Sequence, residues 1–343
     1  RNGPTGVIMG IRNIGEFGFI DKIRHGCLIR PDRVVTPIGD DAAAYRNEAG
    51  QLTLVTADML VERVHFIKEA TSGFNLGYKA LAVNLSDIAA MGGIAREAFI
   101  SIAIPDDCAL DYLQDLYRGM QHLAAEFKVN ILGGDTTGSK TDLVINVTVT
   151  GSVAQNDMLL RSTAQAGDII FSTGCLGDSR AGLHLILNSI AADSEELAAL
   201  VDTHLLPRPY LEEGRFLAHS RKVHAAIDVS DGLSSDLGHI VRESRVGARL
   251  YARQIPISPY LQTFCSRFNF DPSDFALAGG EDYTLLCTAD RETADDLAED
   301  YRKRFDRPLH PIGEISDSKE IELVEDDGRV RIITPTGWDH FKS

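Results

Sequence analysis

The stretch "HAAIDVSDGLSSDLGHIV" (residues 224–241) decides the architecture. It reads as a strand, a polar turn and a helix in immediate succession. The same grammar recurs on both sides of it. "DIIFSTG" is a strand, and "CLGDSRAGLHLIL" is a turn opening into a helix. "FALAGGEDYTLLCTA" (275–289) is two apolar pieces around Gly-Gly-Glu-Asp, and "ADRETADDLAEDYRKRF" is a charged surface helix. "LHPIGEI" and an "EDDGR" hairpin precede the tail "TGWDHF". In the first half, "QLTLVTADML" (51–60) alternates, with Leu52, Leu54, Thr56 and Asp58 on one face of a strand. "GYKALAVNLSDIAAMGG" (77–93) has helical spacing: Tyr78, Leu81, Leu85 and Ile88 share a stripe, with Asn84 and Asp87 on a neighbouring one. "AREAFISIAIP" (95–105) reads as a buried strand, with a helix starting after Pro105; "VNILGGDTT" reads as a strand ending in a turn, and "DLVINVTVTGSV" as a long strand. The class is mixed α/β or α+β, with sheets carrying helices on one side. A boundary near residue 155 divides the chain into domains 1–155 and 156–343.

Composition narrows the function. The 343 residues are 44% hydrophobic, enough for a real core, and length alone suggests two domains. The net charge is −16, from 34 Lys+Arg against 50 Asp+Glu, which argues against general affinity for nucleic acid or an anionic membrane. No apolar run approaches a transmembrane length. The start "RNGPTGVIMG" lacks a signal peptide's apolar core, and Arg1 in place of Met suggests truncation or a leftover tag. Five cysteines without a CxxC point away from disulfides and thiolate zinc, toward a reducing cytosol.

The common nucleotide signatures are missing. There is no GxG, no HExxH and no GxSxG. "GGDTTGSKT" (133–141) only approximates a P-loop: Ser139 intrudes before Lys140, and Asp135 would sit inside the cradle. What recurs instead is a carboxylate at the end of an apolar segment beside Gly, Ser or Thr. The cases are Asp40-Asp41, Asp58, Asp135, Asp228 and Asp231, and Glu281-Asp282, with Asp87 added from a helix. Converging carboxylates without Cys or His call for a hard cation with oxygen ligands, Mg²⁺ rather than Zn²⁺. With Mg²⁺ such a site accepts phosphates that it would otherwise repel.

Each residue also has a plainer reading. Asp106-Asp107 opens a helix as a cap, Asp295-Asp296 lies on a solvated helix face, and Asp326-Asp327-Gly328 is a hairpin turn. Asp40-Asp41 has neither a clear helix nor a hairpin after it, and stands between site and turn. Asp58 could cap a strand end, Asp87 could be an exposed helix residue, and Asp135 could hold its own turn. Ser230 or Asp231 could be the N-cap of the helix from Leu233, and Glu281 and Asp282 could cap a tight turn. A lone His65 is usually a surface or core residue, and Trp338 a packing anchor. The number of coincidences carries the argument.

Together, "IGDDAAA", "VNLSDIAAMGG", "LGGDTT", "IDVSDGLSSDLGHI" and "LAGGEDYTLL", in this order and spacing, resemble the thiamine-monophosphate kinase family. The resemblance runs from "GEFGFIDKI" (15–23) to "GWDHF" (337–341). Three of the motifs occur in looser form across the superfamily of aminoimidazole ribonucleotide synthetase and selenophosphate synthetase. The resemblance implies a two-domain fold of that type, whose N-terminal domains pair as a β-barrel in a homodimer, with a C-terminal α/β domain completing the site. It implies a cytoplasmic enzyme that transfers the γ-phosphoryl group of ATP to thiamine monophosphate, giving thiamine diphosphate. The implied Mg²⁺ ligands are Asp41, Thr56, Ala57 through its backbone, Asp58, Asp87, Asp135, Asp228 and Asp231, with Asp58, Asp87 and Asp228 central to catalysis. Implied nucleotide contacts are Tyr117, Gly134, Asp135, Arg161 and Ser230; implied thiamine contacts are His65, Glu281 and Trp338. Ala57 stands where the family commonly has Thr, and Trp338 where a Tyr is frequent.

The chemistry suits these residue types. The acceptor is itself a phosphate, already near −1.5 to −2 at neutral pH, so no general base is needed. The obstacle is bringing two polyanions together, and phosphoryl transfer is mostly positioning and charge neutralisation. Two other readings compete. Selenophosphate synthesis wants a reactive Cys in a glycine-rich loop, which Cys27 in "RHGCLIRPD" lacks. A non-catalytic cation-binding dimer would bind Mg²⁺ without turning over ATP.

Overall fold

The structure, a computed structural model, describes residues 11–24 and 26–334. The first half holds α1 (Ile11–Ile23), β1 (Val34–Thr36), β2 (Ala43–Arg46), β3 (Leu52–Val61), α2 (Gly73–Ala90), β4 (Ile94–Pro105), α3 (Leu110–Phe127), β5 (Asn130–Ser139) and β6 (Val144–Val153). The second half holds β7 (Ile169–Ser172), α4 (Asp178–Leu187), α5 (Glu195–Leu205), α6 (Leu211–Ser220), β8 (Val223–Asp228), α7 (Leu233–Ser244) and β9 (Gly247–Tyr251). It continues with α8 (Pro259–Phe268), α9 (Pro272–Ala278), β10 (Leu285–Ala289), α10 (Ala294–Phe305), β11 (His310–Ser316), β12 (Ile321–Val324) and β13 (Val330–Ile333).

The strands form two mixed sheets. The first has the order β1-β2-β3-β6-β4-β5, with only β4 and β5 parallel. The second has the order β13-β12-β9-β11-β7-β10-β8, with only β12 and β9 parallel. Within one chain the first sheet is open, with β1 and β5 as its edges. The alternation in β3 does what its sequence demands: Leu52, Leu54 and Thr56 are buried on the helix-covered side, and Ala57 and Met59 are exposed. Among the described residues, no helix is long and apolar enough to cross a membrane.

Helix α2 is the axis of the molecule. Ser72 caps it by accepting the Asn75 N–H at 3.1 Å. It packs on β3 and β6, against α3 on one flank, and against α6 and β8 of the second half. It is therefore buried nearly all round, and Lys79, Asn84 and Ser86 are as enclosed as Leu81, Leu85 and Ile88. The α2–α3 crossing is close because glycines face backbone. A Cβ at Gly77 would lie 1.8 Å from the Leu116 carbonyl oxygen, and one at Gly119 would lie 1.9 Å from that of Phe74. One apolar core runs from Leu54 and Leu85 through Leu217 and Ala226 to Tyr301, so the two sheets share it.

Four expectations need correction. β4 is buried on one side only: Ala98, Ile100 and Ile102 face the helices, while Phe99 and Ser101 are exposed on the uncovered face. α3 starts at Leu110, and its N-cap position is Ala109 with no side-chain cap. Asp107 instead lies 3.8 Å from Lys68 Nζ, so Asp106-Asp107 is a turn. The "LGGDTT" segment is no turn; β5 runs straight through it to Ser139. Finally, Asp58 sits inside β3, which continues to Val61, so it caps no strand end. The "EDDGR" hairpin forms between β12 and β13, closed by Glu325 N–H donating to Arg329 O at 2.8 Å.

Gly77→Ala is expected to cost about 2–3 kcal/mol, because neither backbone can yield without moving the core. Gly138→Ala, with no heavy atom within 4 Å of its Cβ, serves as the control. Urea denaturation midpoints of the two variants against wild type check this.

Candidate active site

Three chain segments bring carboxylates to one point. Asp41 lies in the link between β1 and β2, Asp87 in the last turn of α2, and Asp228 at the end of β8. One oxygen from each lies within 4.8 Å of the others. α2 supplies much of the scaffolding. Its Ser86 hydroxyl donates to Asp228 Oδ2 at 2.5 Å, and its Asn84 Oδ1 accepts the Asp58 N–H at 3.1 Å. Thr56 on β3 donates its hydroxyl to Asp87 Oδ2. Asn146 on β6 donates to the Asp58 carbonyl at 3.0 Å. Arg161 supplies a half-buried positive charge: its guanidinium pairs with Asp41, and its backbone N–H donates to Asp40 Oδ2 at 3.2 Å.

The electrostatics are those of a site built for positive charge. Burial, reinforced by Asp41, raises Asp40 to about 7 and Asp58 to about 6. Burial and then Asp41 raise Asp228 to about 8. Asp87 is pushed well above its ordinary range by burial and by Asp58, Asp228 and Asp41. Burial works against the charge of Arg161, but pairing with Asp41 more than offsets it and holds the guanidinium charged. One oxygen of Asp41 is buried with no hydrogen-bond partner among the described residues. An enclosed carboxylate oxygen left unpaired is costly. An all-oxygen donor set of this kind fits a hard divalent cation.

A second group adjoins the cluster. Glu281, in the loop between α9 and β10, donates its N–H to Ser230 O at 2.7 Å, and Tyr283 N–H donates to Val229 O at 2.8 Å. The Gly-Gly-Glu-Asp loop is thereby laid on the loop after β8. Glu281 and Tyr283 both hold positive φ, 66° and 51°. Such non-glycine geometry costs on the order of 1–3 kcal/mol and persists only where its surroundings enforce it. His65 lies within electrostatic reach of Glu281, and its Nδ1 accepts the Val61 N–H at 3.0 Å. Tyr283 lies within reach of Glu281, Asp58, Asp228 and Asp87, and so bridges the two groups.

The structure thus brings Asp41, Thr56, Asp58, Asp87, Arg161 and Asp228 together, with Ser230, Asp231, His65 and Glu281 beside them. It does not bring Asp135 there. The register Asp135–Ser101–Asn146–Met59 puts it three strands from β3, roughly 14 Å at the usual strand spacing. Asp135 and Gly134 are exposed on edge strand β5, and Tyr117 is on α3, which packs beside that strand. Ala57 turns its methyl to the uncovered face. Trp338 lies outside the described residues. Neither Ser230 nor Asp231 is the N-cap of α7. Gly232 holds that position, and Asp236 accepts the Asp231 and Gly232 N–H groups at 3.0 Å each. Asp282 caps a distant element, accepting the Gly177 N–H at 2.6 Å and the Ser179 N–H at 3.1 Å at the start of α4. Sequence reading missed Lys79, Ser86, His204 and Asp236. The spacing Ser86-Asp87 beside Asn84 was the one available signal for Ser86.

Comparison with known proteins fits this geometry. The family model for the AIR synthase related protein N-terminal domain matches residues 39–153, and that for the C-terminal domain matches residues 165–326. The thiamine-monophosphate kinase of Bacillus subtilis (strain 168) is 35% identical over 330 residues, covering 95% of this chain and 99% of that protein. Among solved structures, AaThiL complexed with AMPPCP and TMP superposes with a TM-score of 0.83 at 31% identity, covering 97% of this chain and 99% of that one. The thiamine-monophosphate kinase of Stenotrophomonas maltophilia gives a TM-score of 0.75 at 37% identity, covering 92% and 97%. With both domain models matched in order around the acidic cluster, and likeness over nearly the whole length, the chain belongs to the thiamine-monophosphate kinase family of AIR synthase related proteins.

Proposed function

We propose that the protein transfers the terminal phosphoryl group of ATP directly to thiamine monophosphate, giving thiamine diphosphate and ADP. One observation carries this reading: Asp41, Asp87 and Asp228 converge within 4.8 Å in a chain of this family. The relative solved with AMPPCP, a non-transferring ATP analogue, and TMP supports both substrates. Asp41, Asp87 and Asp228, flanked by Thr56, Asp58 and Asp231, are the residues that would hold Mg²⁺. When bound, Mg²⁺ neutralises donor and acceptor phosphates and sets them in line. The chain's own residues do the rest. Ser86 and Thr56 orient the carboxylates. Arg161 adds a fixed positive charge. The acceptor phosphate is already an anion, so no side chain has to remove a proton from it. His65, Glu281 and Trp338 serve the thiamine end, with the Trp338 ring suited to the thiazolium cation.

The reading includes a homodimer. Met59, Phe99 and Leu132 are exposed on or beside the uncovered face of the first sheet, which is the surface a barrel between two copies would close. Asp135, too far from its own cluster, then serves the site of the other copy. The five cysteines are all free thiols, which supports a reducing cytoplasm. A domain boundary near residue 155 falls between the two matched family segments.

Incubation with ATP, Mg²⁺ and thiamine monophosphate is expected to yield thiamine diphosphate, quantified by chromatography. Asp87→Asn should lower kcat by about 10²- to 10³-fold with an unchanged circular-dichroism spectrum. Trp338→Ala should raise the KM for thiamine monophosphate and not that for ATP. Formation of no thiamine diphosphate by wild type would sink the assignment.

Complementation tests the shared site. Asp87→Asn and Asp135→Asn homodimers should each be nearly inactive, and mixing after mild dissociation should restore activity through heterodimers. Persistent inactivity of the mixture, with subunit exchange confirmed by mass, would place Asp135 outside the site.

Stability should depend on pH in a defined sense. Asp58, Asp40 and Asp228 titrate near 6, 7 and 8 in the metal-free fold, above the ordinary carboxylate value in the unfolded chain. Their contribution is full below about pH 4 and is lost as pH rises through 6 to 8. The Tm difference between Mg²⁺ and EDTA samples is therefore expected to widen from pH 6 to pH 8.5. A constant difference would contradict the assignment of these groups to the metal.

A further inference from the structure

Lys79 is the one charged residue in the stretch from Ala80 back to Gly73 of α2, and it is only 2% exposed. Its ammonium donates to Glu281 Oε1 at 2.7 Å and lies 3.4 Å from His204 Nε2. His204, on α5, is also buried; its Nδ1 is 3.0 Å from the Ser179 hydroxyl and 3.4 Å from Glu281 Oε2. An ammonium only donates, so Nε2 accepts and the ring N–H sits on Nδ1, facing Glu281 and Ser179. Burial and Lys79 hold His204 down to about 4, so the ring is neutral at pH 7. Among the described residues, Lys79 meets one Glu281 oxygen and His204 the other, and a quarter of the Glu281 side chain remains exposed. Tyr283 lies within electrostatic reach of both Glu281 and the acidic cluster.

We propose that Lys79 and His204 are positioning residues acting through Glu281, which they fix as a charge-compensated acceptor for an N–H donor on the organic end of the substrate. This deepens the kinase reading and rests on it. A buried Lys–Glu pair is a poor device for stability alone, since apolar residues of similar size commonly do as well. Here it is retained at a loop with two non-glycine residues at positive φ, joining the two halves of the chain. The pairing also changes what Glu281 can recognise. With Lys79 beside Glu281 and His204 neutral, the Lys79–Glu281 ion pair as a unit has no net charge to offer the thiazolium ring. A carboxylate has about four lone-pair sites, more than the contacts from Lys79 and His204 use, and an aromatic amine such as the aminopyrimidine group supplies a neutral N–H to match them. From Lys79 to Asp87 is eight residues of helix, about 12 Å, which leaves room for two rings between a phosphate and such an amine.

Steady-state kinetics on wild type, Lys79→Met, Glu281→Gln and the double variant test this. Lys79→Met is expected to raise the KM for thiamine monophosphate about tenfold and to leave the KM for ATP unchanged. In the Glu281→Gln background, the same substitution should change the thiamine monophosphate KM by less than about twofold. His204→Phe should act in the same direction as Lys79→Met. Additive effects in the double variant, equal rises in both KM values, or no effect of Lys79→Met would overturn the assignment. If Lys79→Met alone does not fold, the double variant decides, because it buries no uncompensated charge: its KM must match that of Glu281→Gln. Wild type that makes no thiamine diphosphate refutes the kinase reading; active wild type with an insensitive Lys79 refutes only this role.

Discussion

Asp40, Asp41, Asp58, Asp87 and Asp228 share an enclosed space with, among the described residues, the guanidinium of Arg161. Two unit charges 4 Å apart repel by roughly 4 kcal/mol at an effective dielectric near 20, so nothing about this grouping is self-assembling. Folding imposes it. α2 is seated between the first sheet and the second half of the chain, and from that seat Asn84, Ser86 and Asp87 reach three different partners. Burial and mutual repulsion raise Asp40, Asp58, Asp87 and Asp228 above the ordinary carboxylate range, which favours a proton or a cation at the cluster. The repulsion is thus a standing demand for cations, and the core that spans both sheets is what makes the demand durable.

Much of the fold was legible because it is written in periodicity. The alternation of 51–60 and the strand–turn–helix of 224–241 each became the expected element. The failures have physical causes. The glycine pair in "LGGDTT" suggested a turn, yet β5 is an exposed edge strand in which glycine is tolerated, and Gly134 fits because a Cβ there would strike the Ile100 backbone. Asp106-Asp107 looked like a cap, but capping depends on where the first helical residue falls, and the chain spends several residues before Leu110. The acidic cluster itself was legible as a count of coincidences. Its supports were not. Lys79 and His204 look like surface residues in any periodic reading, and only the packing of α2 against α5 and the 279–283 loop reveals their partner.

The same packing separates two kinds of site residue. Those on β3, α2 and β8 meet within one chain. Those on β5 and α3 stand at the far edge of the first sheet. Sequence order gives no hint of this division, since Asp58 and Asp135 read alike as carboxylates at the ends of apolar segments. Strand order supplies it, because β6 and β4 are inserted between β3 and β5.

Helix α2 is buried on almost every side and is locked to α3 through glycine contacts at 77 and 119. On the proposed reading it is a fixed rule between the acidic cluster, assigned to phosphate, and the Glu281 loop, assigned to the organic part of the acceptor. Changing that span would mean sliding the rod by a full turn through a filled interior. On that reading a change of acceptor would fall on the 279–283 loop together with the buried Lys79 and His204 that hold it. A new specificity would redraw the far mark on the rule, while its length stays as it is.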